Sequence, residues 1–452
     1  MKRIISLTLG LTALAALMTT PLAAQEILTL DDCLSIAKMR NTTVVNAGHQ
    51  QTIALAGRKT AYSNIMPRLN GGLSARHSVI GPTKNNSQVV QGVEIGGGDR
   101  PARTSNSHSF STTVNQTIYD GGAWWNQIKQ SNQQIKASDL DYETSLITVT
   151  NQVKSAYYEL LKDKKQLDVF RESQILREEQ LRRSETMYRV GSVAQIDVFR
   201  SKVALNQVRI QILNQQTQID NSKASLNMSM GRDQSLPVDV VTIEPQVRPL
   251  AISKQQVLAL ARNSHPSIRA GEHDVAAAGL GVKVAKSGWL PSITARGGYT
   301  RNNSELTRVY RSFDKNYNWY MNANINFNIW DGNRTSGNVQ RTQAQENITR
   351  QNHRRAILLV ERDVIQAINN YQSNLEKIDL YEDNLVEAAE TMRLAEGRYQ
   401  QGAGTLLEII DAQENLTSAR IQLVRAQYDA ETYKARLESA IGSDDSGTML
   451  FH

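Results

Sequence analysis

Past its first two dozen residues, this 452-residue sequence has no run approaching the ~18 apolar residues that a membrane-spanning helix needs, and its mean hydropathy is −0.44. If the chain spans a bilayer, it does so by strands. Cysteine is nearly absent. The single Cys33 can make no disulfide within the chain, and the preceding Leu30-Asp31-Asp32 is not a lipid-attachment sequence, so Cys33 reads as a helix residue without chemistry. There is no Gly-x-Ser-x-Gly, no P-loop and no His-Glu-x-x-His. The seven histidines (His49, His77, His108, His265, His273, His353 and His452) form no close-spaced ligand cluster. These gaps argue against an enzyme, and no catalytic residue, metal site or cofactor is expected.

Charge excludes another class. The chain carries 51 basic and 44 acidic residues. The start, Met1-Lys2-Arg3, then an apolar run from Ile4 to Met18 and small residues to Ala24, reads as a secretory signal peptide over 1–24. Removing Lys2 and Arg3 leaves 49 basic against 44 acidic residues, or +5. A charge this mild and dispersed describes a solvated surface, with no nucleic acid as partner.

Proline is sparse, and its nine positions mark what is present. None of Pro21, Pro67, Pro82, Pro101, Pro237, Pro245, Pro249, Pro266 and Pro291 interrupts a long helical segment. A helix from about Asp32 to Ser63, capped by Asp31 or Thr29, precedes a strand at 65–80. Residues 81–107, rich in Gly, Asn, Ser and Pro, read as a long exposed loop, and a second strand covers 108–119. From Ala123 to Val190 there is neither Gly nor Pro, giving a helix of roughly 100 Å at ~1.5 Å per residue. Its Leu146, Val149, Val153, Ala156 and Leu160 follow coiled-coil spacing. After Gly191 a second helix returns to about Met230, and 232–250 is a linker.

The second half repeats the first. Arg40-Asn41 recurs as Arg262-Asn263 and Met66-Pro67 as Leu290-Pro291, at offsets of 222 and 224. Tyr119-Asp120-Gly121 recurs as Trp330-Asp331-Gly332, Tyr188-x-x-Gly191 as Tyr399-x-x-Gly402, and Met230-Gly231 as Ile441-Gly442, all at 211. The repeats divide the chain as 25–240 and 241–442, with a tail at 443–452. The second strand pair falls at 290–300 and 318–330. There, Met321, Ala323, Ile325, Phe327 and Ile329 alternate with asparagines, giving one apolar and one wet face. Four such strands cannot close a membrane barrel, which begins at about 8, so several chains must pool theirs.

The duplicated order of helix, strand pair with an Asp-Gly exit, and long hairpin with a Tyr-x-x-Gly tip resembles the TolC-like outer-membrane efflux protein family, from about Leu28 to Gly442. The resemblance implies a mainly α fold with membrane β: a periplasmic α-barrel of long hairpins below a trimeric 12-stranded outer-membrane barrel. It further implies a homotrimer in the outer membrane of a Gram-negative bacterium, in contact with outer-membrane lipid and extending into the periplasm. A periplasmic adaptor and an inner-membrane RND or ABC transporter would complete a passive export conduit for small molecules or proteins. The competing reading is a soluble periplasmic coiled-coil spacer, which the alternating strands disfavour.

By the same resemblance, Tyr399 hydrogen-bonds Asp197 to hold a closed gate. Glu408 and Asp411, three apart on one helix face, form an acidic pore constriction. The tips at Gly191 and Gly402 contact the adaptor. The family's second tip reads Tyr-x-x-Gly-x-Arg, whereas this chain has Gly404 at the arginine position; Arg189 is a candidate substitute.

Overall fold

The computed structural model describes residues 26–85, 88–95, 98–311 and 313–443. The expected signal peptide and residues 444–452 of the tail lie outside them. Strand β1 (Glu26–Leu28) leads into α1 (Leu30–Arg40) and α2 (Thr42–Ser63). Thr29, rather than Asp31, caps α1: its hydroxyl accepts the Asp32 N–H, and the Asp32 carboxylate accepts from Thr29 in return. Those bonds hold the Asp32 pKa below its usual value.

The single helix expected over 32–63 is in fact two. Asn41 breaks it with extended backbone (φ −63°, ψ 127°) and donates its side-chain amide to the Ser229 carbonyl at 2.8 Å. Asparagine competes for backbone partners in this way and so favours helix ends. The same break recurs between α5 (Lys254–Ser264) and α6 (Pro266–Lys286), where His265 has φ −61° and ψ 120°. Gly231 abuts Arg40 and Asn41, and Gly442 abuts His265 and Pro266, so closely that a Cβ would clash at either. Asn41 therefore corresponds to His265, at offset 224, and the Arg40-Asn41 match to Arg262-Asn263 is two residues out of register.

After α2 come β2 (Arg68–Ile80), four three-residue strands and β7 (Arg103–Asp120). The short strands β3 (Thr83–Asn85), β4 (Gln88–Val90), β5 (Val93–Ile95) and β6 (Gly98–Arg100) pair as β3–β6 and β4–β5. The described residues between 81 and 107 thus form a hairpin extension instead of an irregular loop. Its reversal, Gln91-Gly92, has φ of 54° and 79°, the geometry of a two-residue hairpin turn. Then follow α3 (Ala123–Arg189), α4 (Gln195–Ser229) and β8 (Val238–Val240), which pairs in parallel with β1 inside the expected linker. The second half continues from α6 through β9 (Ser292–Asn303), the short α7 (Leu306–Arg311), β10 (Tyr317–Asn326), α8 (Arg334–Gln400) and α9 (Leu406–Ile441). The strand expected to reach 330 stops at Asn326. The Asp-Gly exits are helix caps: Asp120 accepts the Trp124 N–H at 2.8 Å and Asp331 the Thr335 N–H at 3.0 Å.

Two compact units each draw on both halves. One contains the described residues up to Thr42 with Val149–Pro249 and Asn369–Arg436. Here Val149, Val153 and Leu160 of the expected seam are buried. Tyr157 and Tyr371 donate to the carbonyls of Val241 and Arg248, strapping down the chain that follows β8, and burial pushes both phenols up to about 12.

The other unit, Thr43–Thr148 with Leu250–Ile368 and the chain from Leu437, holds a four-stranded antiparallel sheet in the order β10-β9-β7-β2. Register sorts its side chains by face. One row runs Leu69, Val114, Gly297, Met321; the next runs Asn70, Thr113, Gly298, Tyr320. Ile293, Ala295, Tyr299, Trp319, Ala323 and Ile325 share the apolar face. Ser74–Ser109 (2.6 Å) and Arg296–Asn115 (2.6 Å) hydrogen bonds cross the polar one. All four helical connections join one end of this sheet.

Candidate functional site at the hairpin tips

The two tips are built alike. Gly191 (φ 75°) and Gly402 (φ 71°) end α3 and α8 in the left-handed region that glycine adopts without strain. Ser192 N–H bonds the Met187 carbonyl (2.8 Å), and Ala403 N–H bonds the Arg398 carbonyl (2.9 Å), the same closing bond 211 residues apart. The second tip adds a cap. Thr405 accepts the Glu408 N–H at 3.3 Å and reaches the Glu408 carboxylate, as its position before α9 predicts. At the first tip Ala194 offers no side-chain cap.

Tyr399, like Met392, packs against the cluster of Ala395, Ile409 and Ala412. Its hydroxyl meets the Met187 sulfur at 3.6 Å, bridging the two tips, and makes no hydrogen bond to Asp197 among the described residues. Asp197 faces Arg200 instead, at 3.6 Å. It is still near enough that its charge, after burial, raises the Tyr399 pKa. The structure thus brings the expected gate pair together without joining it.

The tip arginine is displaced. A side chain at Gly404 would press on the Tyr399 N–H and the Arg398 Cβ, so the position is kept small. Arg398 supplies the guanidinium, donating to the Ala403 carbonyl at 3.1 Å and pairing with Glu408 at 3.7 Å. Among the described residues, Arg189 bonds only Thr186 on its own helix.

Glu408 and Asp411 each have a cation close by. Beside Asp411 lies Arg177, 3% exposed, which bonds the Ile410 carbonyl (3.4 Å) and the Glu414 carboxylate (3.2 Å). Burial pulls the Arg177 pKa down, while Glu414 and Asp411 oppose the shift. Arg177 belongs to a polar seam. Asp163, Gln166, Ser173, Arg177, Gln180 and Ser184 are all buried along α3 at coiled-coil spacing. From it, bonds run to α9 through Gln166–Arg425, Ser173–Thr417 and Arg177–Glu414, beside the Lys162–Asp429 ion pair. Apolar periodicity cannot reveal such a seam; the heptad spacing of its polar residues could have.

A family profile described as "Outer membrane efflux protein" matches residues 33–232 and again 257–443. The chain belongs to the outer membrane efflux protein family. The double match follows the internal repeat. Among curated relatives, outer membrane protein TolC of Vibrio cholerae is 21% identical over 408 residues, 90% of this chain and 89% of its own length. The pyoverdine export outer membrane protein OpmQ of Pseudomonas putida is 26% identical over 419 residues, covering 90% and 85%. A solved structure of CusC superposes with a TM-score of 0.79 at 20% identity over 92% of both chains, a likeness of fold. Family membership puts the protein in the outer membrane as an efflux channel.

Proposed function

We propose that three copies of this protein form a gated, passive conduit of a tripartite export system. A periplasmic adaptor and an inner-membrane RND or ABC pump would complete it. The sheet is the observation that carries this reading. No described helix is apolar enough to cross a bilayer, whereas the sheet has one mainly apolar face. From Ile293 to Tyr299 that face spans about 20 Å at ~3.4 Å per residue, of the order of the ~25 Å apolar band of outer-membrane barrels. Aromatics flank it at both ends. Tyr119, Trp125, Trp289 and Trp330 (82% exposed) lie toward the helices, and Tyr299, Tyr317 and Trp319 (70% exposed) lie at the far end.

Strands β10 and β2 are open edges, which lipid does not tolerate. Because four strands alternate in direction, joining β10 of one copy to β2 of the next keeps the antiparallel order around a closed ring. On α4, Ile196, Phe199, Val203, Ile210 and Leu213 make an exposed stripe at heptad spacing, suited to a neighbouring copy. A soluble spacer would need neither feature.

In this conduit the tips form the gate, Glu408 and Asp411 the constriction, and Gly191 and Gly402 the adaptor contacts. Nothing in a passive conduit calls for catalysis or a cofactor. OpmQ is named for pyoverdine, but the sheet and tips of this chain favour no particular cargo. The test is to fractionate cells and reconstitute the extracted protein in planar bilayers. A trimer in the outer membrane with discrete conductance steps is expected; a monomer in the soluble periplasmic fraction would refute the proposal.

A further inference from the structure

Helix α7 sits at the end of the sheet away from the helical connections, packed on β9 and β7. It is held there from beneath. Arg301 is 2% exposed and falls on the sheet's apolar face, in one row with Phe110 and Tyr317. Its guanidinium donates to the carbonyls of Val309 (2.8 Å) and Arg308 (3.0 Å) and lies 4.9 Å from the Phe313 ring centre. Tyr299, stacked on Tyr317, donates to the Phe313 carbonyl at 3.0 Å. Val309 is buried below. The segment is therefore stapled to the apolar face of the sheet.

Its outer surface is of two kinds. Leu306, Tyr310 and Phe313 are exposed, as are Tyr317 and Trp319 beside them. A loop meant only for water has no reason to expose five such side chains together. Interleaved with them are three cations. Arg308 is held by Glu305 at 2.8 Å, while Arg311 and Lys315 are exposed with no ion pair among the described residues; Asp314 is the only other acid between 305 and 315. Aromatic bodies with cationic tips are what the boundary between acyl chains and headgroups selects.

We propose that α7, with Phe313 and Lys315, is an interfacial anchor that binds anionic, phosphate-bearing headgroups in the outer leaflet of the membrane the sheet crosses. The aromatics enter the acyl boundary as a continuation of the apolar face, and Arg311 and Lys315 take the headgroup phosphate. This rests on the membrane-channel reading, which places the far end of the sheet at the outer leaflet.

The experiment labels Thr307→Cys, an exposed position on α7, with a fluorescent maleimide; Cys33 is fully buried and stays unlabelled. The full-length trimer is reconstituted in vesicles containing brominated phosphatidylglycerol or brominated phosphatidylcholine, and quenching gives their relative affinity at α7. The anionic lipid should win by about tenfold. The Arg311→Gln/Lys315→Gln protein should lose that preference, and Arg311→Lys/Lys315→Arg should keep it, with conductance unchanged in both. Equal quenching by the two lipids in the unsubstituted protein, or an unchanged preference in the glutamine variant, would overturn the proposal. So would a label that neither lipid quenches in a channel that still conducts. Failure to insert or conduct at all would instead count against the channel reading beneath it.

Discussion

Glu408 and Asp411 lie three residues apart on α9, and each has a guanidinium neighbour, Arg398 or Arg177. Their field at an entrance is partly offset within the protomer, so a constriction built from them favours cations moderately. In planar bilayers, Glu408→Gln with Asp411→Asn should lower the cation-to-anion permeability ratio by about two- to threefold; unchanged reversal potentials would show that the pair does not face the pore. His265 gives a second prediction. Burial pushes its pKa below 6.5, while a bond to Ser439 and the Asp363 carboxylate oppose the shift. The folded protein therefore keeps it neutral where the unfolded chain takes a proton, and stability is full above about pH 6.5 and falls as pH drops toward the folded pKa. His265→Asn, which copies Asn41 in the first half, should flatten that decline in thermal melts from about pH 7.5 to 5.5. The identities of these residues were legible in the sequence, but their partners were not. Tyr399 finds Met187, and Arg398 stands in for an arginine at Gly404, because both outcomes depend on how two hairpins meet.

Helices α3 and α8 begin and end 211 residues apart, from Ala123 to Arg334 and from Arg189 to Gln400. That constancy was readable because Asp-Gly caps, left-handed glycines and the absence of proline are local signals. Three features were hidden. The break at Asn41 depends on a bond to Ser229, far away in sequence. The strands between Thr83 and Arg100 hide in turn-like composition. At two positions the α3 seam is polar where α8 is apolar: Arg177 and Ser184 correspond to Ala388 and Ala395, which lie in apolar clusters, whereas Asp163 corresponds to the buried Asn374. Two nitrogens of Arg177 are buried without partners, and burying a charge this way gives up stability that apolar packing would supply. Arg177→Met should therefore raise thermal stability, by about 1–2 kcal/mol, and lower the open probability of the reconstituted channel. A melting point that falls would show that the seam stabilises the closed form.

Across the whole molecule, features that look unfinished in one chain fit the proposed assembly. Strands β2 and β10 lack outer partners, the sheet exposes Leu69, Met321 and Ile325, and α4 exposes its heptad stripe. The compact units cut across the sequence repeats because each repeat supplies one hairpin and two strands, and neither can complete a layer alone. The central claim is that copies close the sheet edge to edge. Its most direct measurement pairs Ser74→Cys on β2 with Asn322→Cys on β10, treated in outer-membrane vesicles with a bis-maleimide of about 8 Å. Within one chain Asn322 is level with Arg68, so Ser74 lies three interstrand steps across, about 14 Å, and six residues along, about 20 Å, beyond the linker's reach, whereas in a closed barrel, whose shear staggers the strands, adjoining edges of neighbouring copies are about 5 Å apart. Covalent dimers and trimers, and no larger species, are the predicted result; a product that stays monomeric, with each single-cysteine protein behaving identically, would contradict it.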